Sequence, residues 1–365
     1  MAKPSSHSVW RLTEAHCYTP SHEALGLRRT VSSAGRLLAL VIVALLNVWA
    51  TAALYFDLRF NLWRTPVAIS YAIVIAILLV WVKNRWRSVG ICLCAFGCVL
   101  SWWLSLEPSN DRHWQPDVGQ TAWAEITGDQ IAIHNFRNCD YRTEGDYTPH
   151  WETKTYDLSK LRGVDLFMIY WGSPWIAHTI VSFDFGDQGH VAMSIEPRKE
   201  VGKEYSAVRG FFRYAELIYV ISDERDVVRL RSNYRQNEDV YLFRTAATPQ
   251  QGRLVFLDYL RRANQLREHP EWFNALTNNC TTNISLHVAG SGHRNFSRWD
   301  WRILLNGRAD EMLYQHRDLE GNLPFNDLKS RALINPAART ADQSLDFSDR
   351  IREDRPGFEV NQKDR

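Results

Sequence analysis

The 365-residue sequence lacks nearly every short motif that marks a cofactor enzyme. There is no H-E-x-x-H and no paired C-x-x-C, which excludes the common zinc patterns. No G-x-x-x-x-G-K-[ST] phosphate loop, no G-x-S-x-G elbow and no glycine-rich dinucleotide cradle is present. No internal repeat stands out. Charge of one sign is also missing: 43 Lys and Arg against 41 Asp and Glu leave a formal +2, so nothing draws the chain as a whole to nucleic acid or another polyanion. Cysteine is scarce. Cys17 lies in the N-terminal stretch, Cys92, Cys94 and Cys98 fall inside one apolar run, and only Cys139 and Cys280 belong to the polar remainder.

What the chain does have is long apolar runs: Leu37 to Phe56, Val67 to Val82 and Val89 to Leu106. A membrane-crossing helix needs about 20 apolar residues and manages with about 17, so three spans are expected, with Trp49, Trp63, Trp81, Trp86, Trp102 and Trp103 near their ends as interface anchors. Basic residues cluster before the first run (Lys3, Arg11, Arg28, Arg29, Arg36) and between the second and third (Lys83, Arg85, Arg87). Both segments belong inside, and an odd number of spans then exports everything after Glu107. The expected organisation is a cytoplasmic tail at 1–36, spans at 37–106, an exported domain at 107–335 and a polar C-terminal tail at 336–365. A lipid bilayer is the first expected partner, and the inner membrane with a periplasmic C-terminal domain the expected location.

The exported part mixes short strands with helices. Ala122 to Thr127 and Gln130 to Phe136 flank Gly128-Asp129 as a hairpin, and Val164 to Tyr170 suits a buried strand. Thr179 to Phe185, the turn Gly186-Asp187-Gln188-Gly189 and Val191 to Ile195 form a second hairpin, which a symmetric turn closes with Thr179 opposite Glu196. Pro197 is expected to end its return strand sharply. Lys203 to Val220 has the spacing of a helix, with a strand at Leu217 to Ile221 as the alternative. Asp223 to Arg231 reads as a short helix with a solvated charged face. Thr248-Pro249-Gln250-Gln251 is a capping box that opens a helix running to about Glu268, and Pro270 ends it. Trp299, Trp301, Leu304 and Leu305 suit a last helix.

Thr277-Asn278-Asn279-Cys280-Thr281-Thr282-Asn283-Ile284 carries the chemistry. Cap-forming residues precede Cys280, and Ile284 and Val288 recur behind it at helical spacing, which places Cys280 in a first helical turn. The positive end of a helix favours a thiolate, the nucleophilic form of cysteine. Such a nucleophile needs a base and the base an orienting acceptor. His178 and Glu196 meet at one end of the second hairpin and supply both, whereas His287, two turns along the cysteine helix, is roughly 10 Å away by helix rise. The bland alternatives are a structural cysteine or a Cys139–Cys280 disulfide.

Four motifs in order, Ala177-His178-Thr179 with Ser182-Phe183 and Phe185, Ser194-Ile195-Glu196 with Arg198-Lys199-Glu200, Asp223-Glu224-Arg225-Asp226, and Asn279-Cys280-Thr281-Thr282, resemble the periplasmic domain of Lnb-type bacterial lipoprotein N-acyltransferases over roughly residues 120–340. That domain is in turn similar to circularly permuted NlpC-type, papain-like thiol enzymes. The resemblance implies an α+β, permuted papain-like fold with an antiparallel sheet and packed helices, Cys280 as nucleophile, His178 as base, Glu196 as orienter, and Asn279 and Arg198 in support, with no metal or organic cofactor. It implies an acyltransferase acting on lipid or lipoprotein through a thioester. In those enzymes the membrane spans follow the periplasmic domain, whereas here three precede it. An envelope cysteine amidase on peptidoglycan peptides and a non-catalytic tethered binding module are the rival expectations.

Overall fold

The structure is a computed structural model that describes residues 22–204, 206, 208–290, 302 and 306–358. The chain divides into two compact units, Met1–Ser105 and Leu106–Arg365.

The first unit contains three helices, α1 (His22–Asp57), α2 (Asn61–Trp81) and α3 (Arg85–Leu104). Ala34–Asp57, Leu62–Trp81 and Arg85–Leu104 are long and apolar enough to cross a membrane. The few polar groups inside this unit are paired. Tyr71 donates to Asn47 Oδ1 at 2.5 Å and Trp103 Nε1 to Asp57 Oδ2 at 2.6 Å, as an apolar solvent requires.

The second unit is an α+β domain built on an eight-stranded sheet in the order β1-β2-β9-β8-β7-β6-β10, with β5 (Trp151–Asp157) also paired to β2. The strands that position the site are β6 (Gly163–Trp171), β7 (Ala177–Asp184), β8 (His190–Arg198), β9 (Glu216–Ser222) and β10 (Glu238–Arg244). They pair antiparallel throughout, while β2 (Gln130–Arg137) touches β9 in parallel at Arg137 and Ser222. The first hairpin, β1 (Trp123–Thr127) with β2, turns at Gly128, whose φ of +61° suits a residue without Cβ.

Strands β6 to β9 are buried on both faces, and the two faces differ. Leu166, Met168, Ala177, Val181, Phe183, Met193 and Ile195 pack on one side with α5 (Pro249–Glu268) and with Cys280. Phe167, Ile169, Ile180 and Ala192 pack on the other with Val227 and Val228 of α4 (Glu224–Arg229) and with Ile334, Ala338, Phe347 and Ile351 near the C-terminus. Alternate residues of one strand therefore serve separate cores. Helix α5 begins where its capping box predicts: Thr248 N donates to Gln251 Oε1 at 2.9 Å and Gln251 N to Thr248 Oγ1 at 3.3 Å.

Several expectations need correction. Residues 203–220 form no long helix; a 3₁₀ turn at Arg209–Phe211 leads into β9, because fully buried Leu217 to Ile221 fill a central strand position. The charges of 223–231 are not a solvated face. Glu224 and Asp226 are 0% exposed and Arg229 and Arg231 under 10%; Glu224, Asp226 and Arg231 meet opposite charges, and Arg229 donates to Asp342 O at 2.9 Å with Asp140 3.6 Å away. Pro197 does not end β8, which continues to Arg198; pairing with β7 stops at Ser194, so the proline sits where β8 has only β9 beside it. The hairpin register is also one residue off, with Ile180 opposite Ser194.

The expected tail at 336–365 is packed through residue 358 by a buried ion network that polar composition hid. Arg352 donates to Asp165 Oδ2 at 2.7 Å and to Glu224 Oε1 and Oε2 at 2.6 and 2.7 Å, and Ser182 completes Glu224 at 2.6 Å. The expected helix around Trp299 to Leu305 lies outside the described residues. Arg198, expected in support of the site, instead holds residues 110–119: its guanidinium donates to Val118 O, Gly119 O and Asn110 Oδ1 at 2.8–2.9 Å and lies 4.3 Å from the Trp114 ring centroid. Arg352→Ala takes the only arginine from buried Glu224 and leaves Asp165 with Arg244 alone, and should destabilise the domain by about 3–5 kcal/mol. Adding Asp165→Asn and Glu224→Gln should recover much of that loss in denaturant titrations.

Candidate active site

Helix α6 (Cys280–Gly290) starts at the cysteine, as its sequence predicts. Asn279 caps it: the Asn279 Oδ1 accepts from Thr282 N at 3.0 Å, and its amide holds Ala275 O at 2.6 Å. The supporting residue Asn279 thus sets the helix start rather than touching the sulfur. Before it, Asn278 Nδ2 donates to Trp272 O and Glu271 Oε2 at 3.0 and 3.2 Å, which fixes the approach.

The Cys280 sulfur is buried. It lies 3.8 Å from Thr281 Oγ1 and 4.0 Å from Asn306 Nδ2, and it takes a backbone hydrogen bond from Thr179 in β7. Burial pushes its thiol up from the ordinary value, outweighing the hydrogen bonds from Thr281 and the Thr179 backbone that favour a thiolate. The expected resting thiolate is therefore a neutral thiol; the helix start is present, but it is dry. Cys139 and Cys280 are both free, which removes the disulfide alternative.

His178 and Glu196 do come together, through a residue that sequence reasoning passed over. His178 Nε2 is 2.7 Å from Ser194 Oγ, and Ser194 is 2.8 Å from Glu196 Oε1, with Nε2 itself 3.7 Å from that oxygen. Burial works against ionisation of Glu196, but Arg231 at 3.3 Å and further cations hold it well below the usual carboxylate range. An ionised carboxylate only accepts, so Ser194 gives its one proton to Glu196 and accepts from Nε2–H. The neutral tautomer of His178 is thereby fixed, and Nδ1 is left as the basic nitrogen. Burial lowers the imidazole to about 3, aided by Arg231 and opposed by Glu196.

No hydrogen bond joins Cys280 to His178. Cys280 packs with Ala177 and Val181, whereas His178 is in line with Ile180 and Ser182, which face α4. The two residues meet β7 one position apart, at Thr179 and His178, where the pairing of β7 with β8 has already ended at Ile180 and Ser194. At the level of His178 the two strands are joined by the His178–Ser194 side-chain contact and not by backbone pairing.

Sequence reasoning also missed Asn306, which anchors this end of β7 by exchanging hydrogen bonds with Ala177 N and O at 2.9 and 2.5 Å and donating to Thr281 Oγ1 at 2.6 Å. No local pattern signals a residue 26 positions beyond the cysteine. His287, set aside for distance, is 2.6 Å from Asp258 Oδ2 and 2.8 Å from the Tyr219 hydroxyl, and is a satisfied buried histidine.

Beside Cys280 lies an apolar cavity of about 140 Å³ between α5, α6 and the sheet. Val164, Leu166, Met168, Val181, Val255, Ile284 and Met312 supply its walls, and Thr179 and Thr281, both in contact with Cys280, lie at its edge. Among the described residues no cluster of three or more His, Cys, Asp or Glu could hold a metal ion.

Residues 147–307 match the family described as Lnb N-terminal periplasmic domain, so the chain contains a domain of that family. Three membrane-crossing helices ahead of it place the chain in the inner membrane with its C-terminal domain in the periplasm. No curated protein and no solved structure matches the chain.

A neutral, buried thiol makes a kinetic demand. Alkylation of Cys280 by iodoacetamide should be slow at pH 7 and rise with pH to beyond about 9, the thiolate fraction growing only as pH approaches a raised pKa. Cys139, pushed up to about 12, should lag behind it. Fast alkylation of Cys280 that is flat between pH 6 and 8 would mean that the thiolate is already formed.

Proposed function

We propose that the periplasmic domain is a cysteine-dependent acyltransferase that takes an acyl group from a lipid or lipoprotein and passes it on through a thioester at Cys280. The observation that carries this reading is the apolar cavity next to a cysteine at a helix start, within a domain of the Lnb family. An aliphatic chain loses nothing by entering such walls. A peptidoglycan stem peptide would leave several amide groups without partners there, at about 1–3 kcal/mol each.

In this mechanism His178 Nδ1 takes the thiol proton where β7 and β8 are no longer paired, and the sulfur bonds to the acyl carbonyl carbon. The carbonyl π electrons move to oxygen, and backbone N–H groups at the start of α6 stabilise the charge. Collapse breaks the bond to the departing alcohol oxygen, which takes the proton back from imidazolium and leaves a thioester. An amine then attacks and loses its proton to His178, the sulfur leaves as the amide forms, and it takes that proton back to restore the thiol. Glu196 acts through Ser194 to keep Nε2 protonated and the ring fixed, so that Nδ1 is the nitrogen that works. No metal or organic cofactor enters these steps. The three spans support the choice of a lipid-borne donor, because they keep the domain at the bilayer.

The test is chemical. Protein purified from membranes fed a labelled fatty acid should carry hydroxylamine-sensitive label on the Cys280 peptide; Cys280→Ser and His178→Ala should each lose it, and Glu196→Gln should reduce it by a smaller factor. An unlabelled Cys280, together with cleavage of cell-wall peptides by the purified protein, would assign the site to an amidase instead.

A further inference from the structure

Val208, Phe211 and Leu276 are 57%, 43% and 52% exposed, and all three sit on irregular segments of the domain that the backbone ties together. Phe211 N donates to Val208 O at 3.2 Å across a 3₁₀ turn, and Ala275 N, next to Leu276, donates to Gly210 O at 2.7 Å, next to Phe211. The second segment is pinned to the approach to β9 as well: Leu217 N donates to Glu271 O at 2.8 Å and Phe273 N to Ala215 O at 3.0 Å. A single exposed apolar residue is ordinary, but three on loops bonded to each other mark an interaction surface.

The path of the chain identifies what lies beside it. Leu104 is the last residue of α3, a helix long and apolar enough to cross a membrane, and Leu106 is the first residue of the domain. Two residues of chain reach about 7 Å at most, while the headgroup layer is about 5–8 Å deep on each side of the hydrocarbon. Leu106 is therefore kept at headgroup level. Its carbonyl accepts from Arg213 Nη1 at 2.6 Å and from Trp272 Nε1 at 3.3 Å. Arg213 is two residues from Phe211 and Trp272 four from Leu276, so each apolar loop holds the point at which the chain leaves the bilayer. Partly exposed Trp272, Arg209 and Arg213 are of the types that gather among headgroups, an indole with a polar tip and cations on long apolar stems.

We infer that the segments 208–211 and 272–276 dip into the periplasmic leaflet of the membrane that the spans cross, with Val208, Phe211 and Leu276 below the headgroups. Apolar side chains so placed leave water for hydrocarbon, which holds the loops at a fixed depth. This docking does not depend on the thioester reading, but it bears on Cys280. Ala275 O accepts from Asn279 Nδ2 at 2.6 Å, and Asn279 caps α6. The segment that presents Leu276 to the leaflet thus also carries the cap of the cysteine helix, an arrangement suited to a substrate that stays in the bilayer.

A photoreactive side chain tests the docking directly. Full-length protein in vesicles of phosphatidylethanolamine and phosphatidylglycerol, with p-benzoylphenylalanine in place of Phe211 or Leu276, should form lipid adducts on illumination, read by mass spectrometry of the peptides. The same group in place of Leu345, which is 87% exposed in the C-terminal segment, should form none. Val208→Asp with Leu276→Asp should abolish the adduct at position 211 while the spans keep the protein in the vesicles. Because both side chains are exposed, the thermal midpoint should not fall; if it does, Val208→Ser with Leu276→Ser makes the same comparison. Adducts at 211 and 276 no more abundant than at 345, or an adduct at 211 that survives the double substitution, would overturn the inference. Cross-links from either position to a second copy of the chain or to another protein, in place of lipid, would overturn it too.

Discussion

Burial of β7 on both faces governs this domain. Because successive side chains of a strand point to opposite sides, Ala177, Thr179 and Val181 belong to the apolar core that holds Cys280, and His178, Ile180 and Ser182 to the side where α4 and the C-terminal segment bring in charge. One face is closed by hydrocarbon, the other by Arg231, Arg352 and their carboxylates. The imidazole grows from β7, the thiol reaches the same strand from α6 at the Thr179 backbone, and the strand's alternation separates them. They can cooperate only where the sheet is interrupted, and β7 and β8 part company beyond Ile180 and Ser194.

The same burial sets the protonation states. A cysteine at a helix start is usually described by the dipole that favours thiolate, yet here the loss of solvent outweighs it, and Cys280 rests as a thiol. On the other face burial and Arg231 keep His178 neutral, while Glu196 stays ionised because cations surround it. Both shifts favour a neutral pair, a buried thiol and a buried neutral imidazole. Charge on the other face is permanent. It fastens α4 and the C-terminal segment against the sheet.

Local signals were legible in the sequence wherever one residue type leaves no choice of conformation. The capping box at Thr248, the glycine turn after β1 and the cap before Cys280 each appear where their residues predict, and the three long apolar runs became long apolar helices. Signals that depend on distant partners were not. Glu224, Asp226 and Arg231 resemble a solvated helix face until Arg352, Arg137 and Glu238 arrive from elsewhere in the chain, and the C-terminal segment resembles a polar tail for the same reason. Ser194 is an ordinary strand residue in sequence; only the hairpin register, which ran one residue from the symmetric expectation, places it between His178 and Glu196. Asn306 and the cavity beside Cys280 depend on packing that no short motif encodes.

The claim on which the account turns is that the resting site holds a neutral thiol and a neutral imidazole rather than a thiolate and an imidazolium. Titrating ¹⁵N-histidine-labelled protein by NMR, with His178→Ala to assign the signal, tests it directly. His178 is predicted to remain neutral with its proton on Nε2 from pH 8 down to about pH 4, consistent with a pKa near 3. A His178 ring that is doubly protonated at pH 7 and loses its charge on conversion to Cys280→Ser would contradict the account, because it would show that the ion pair forms before substrate binds.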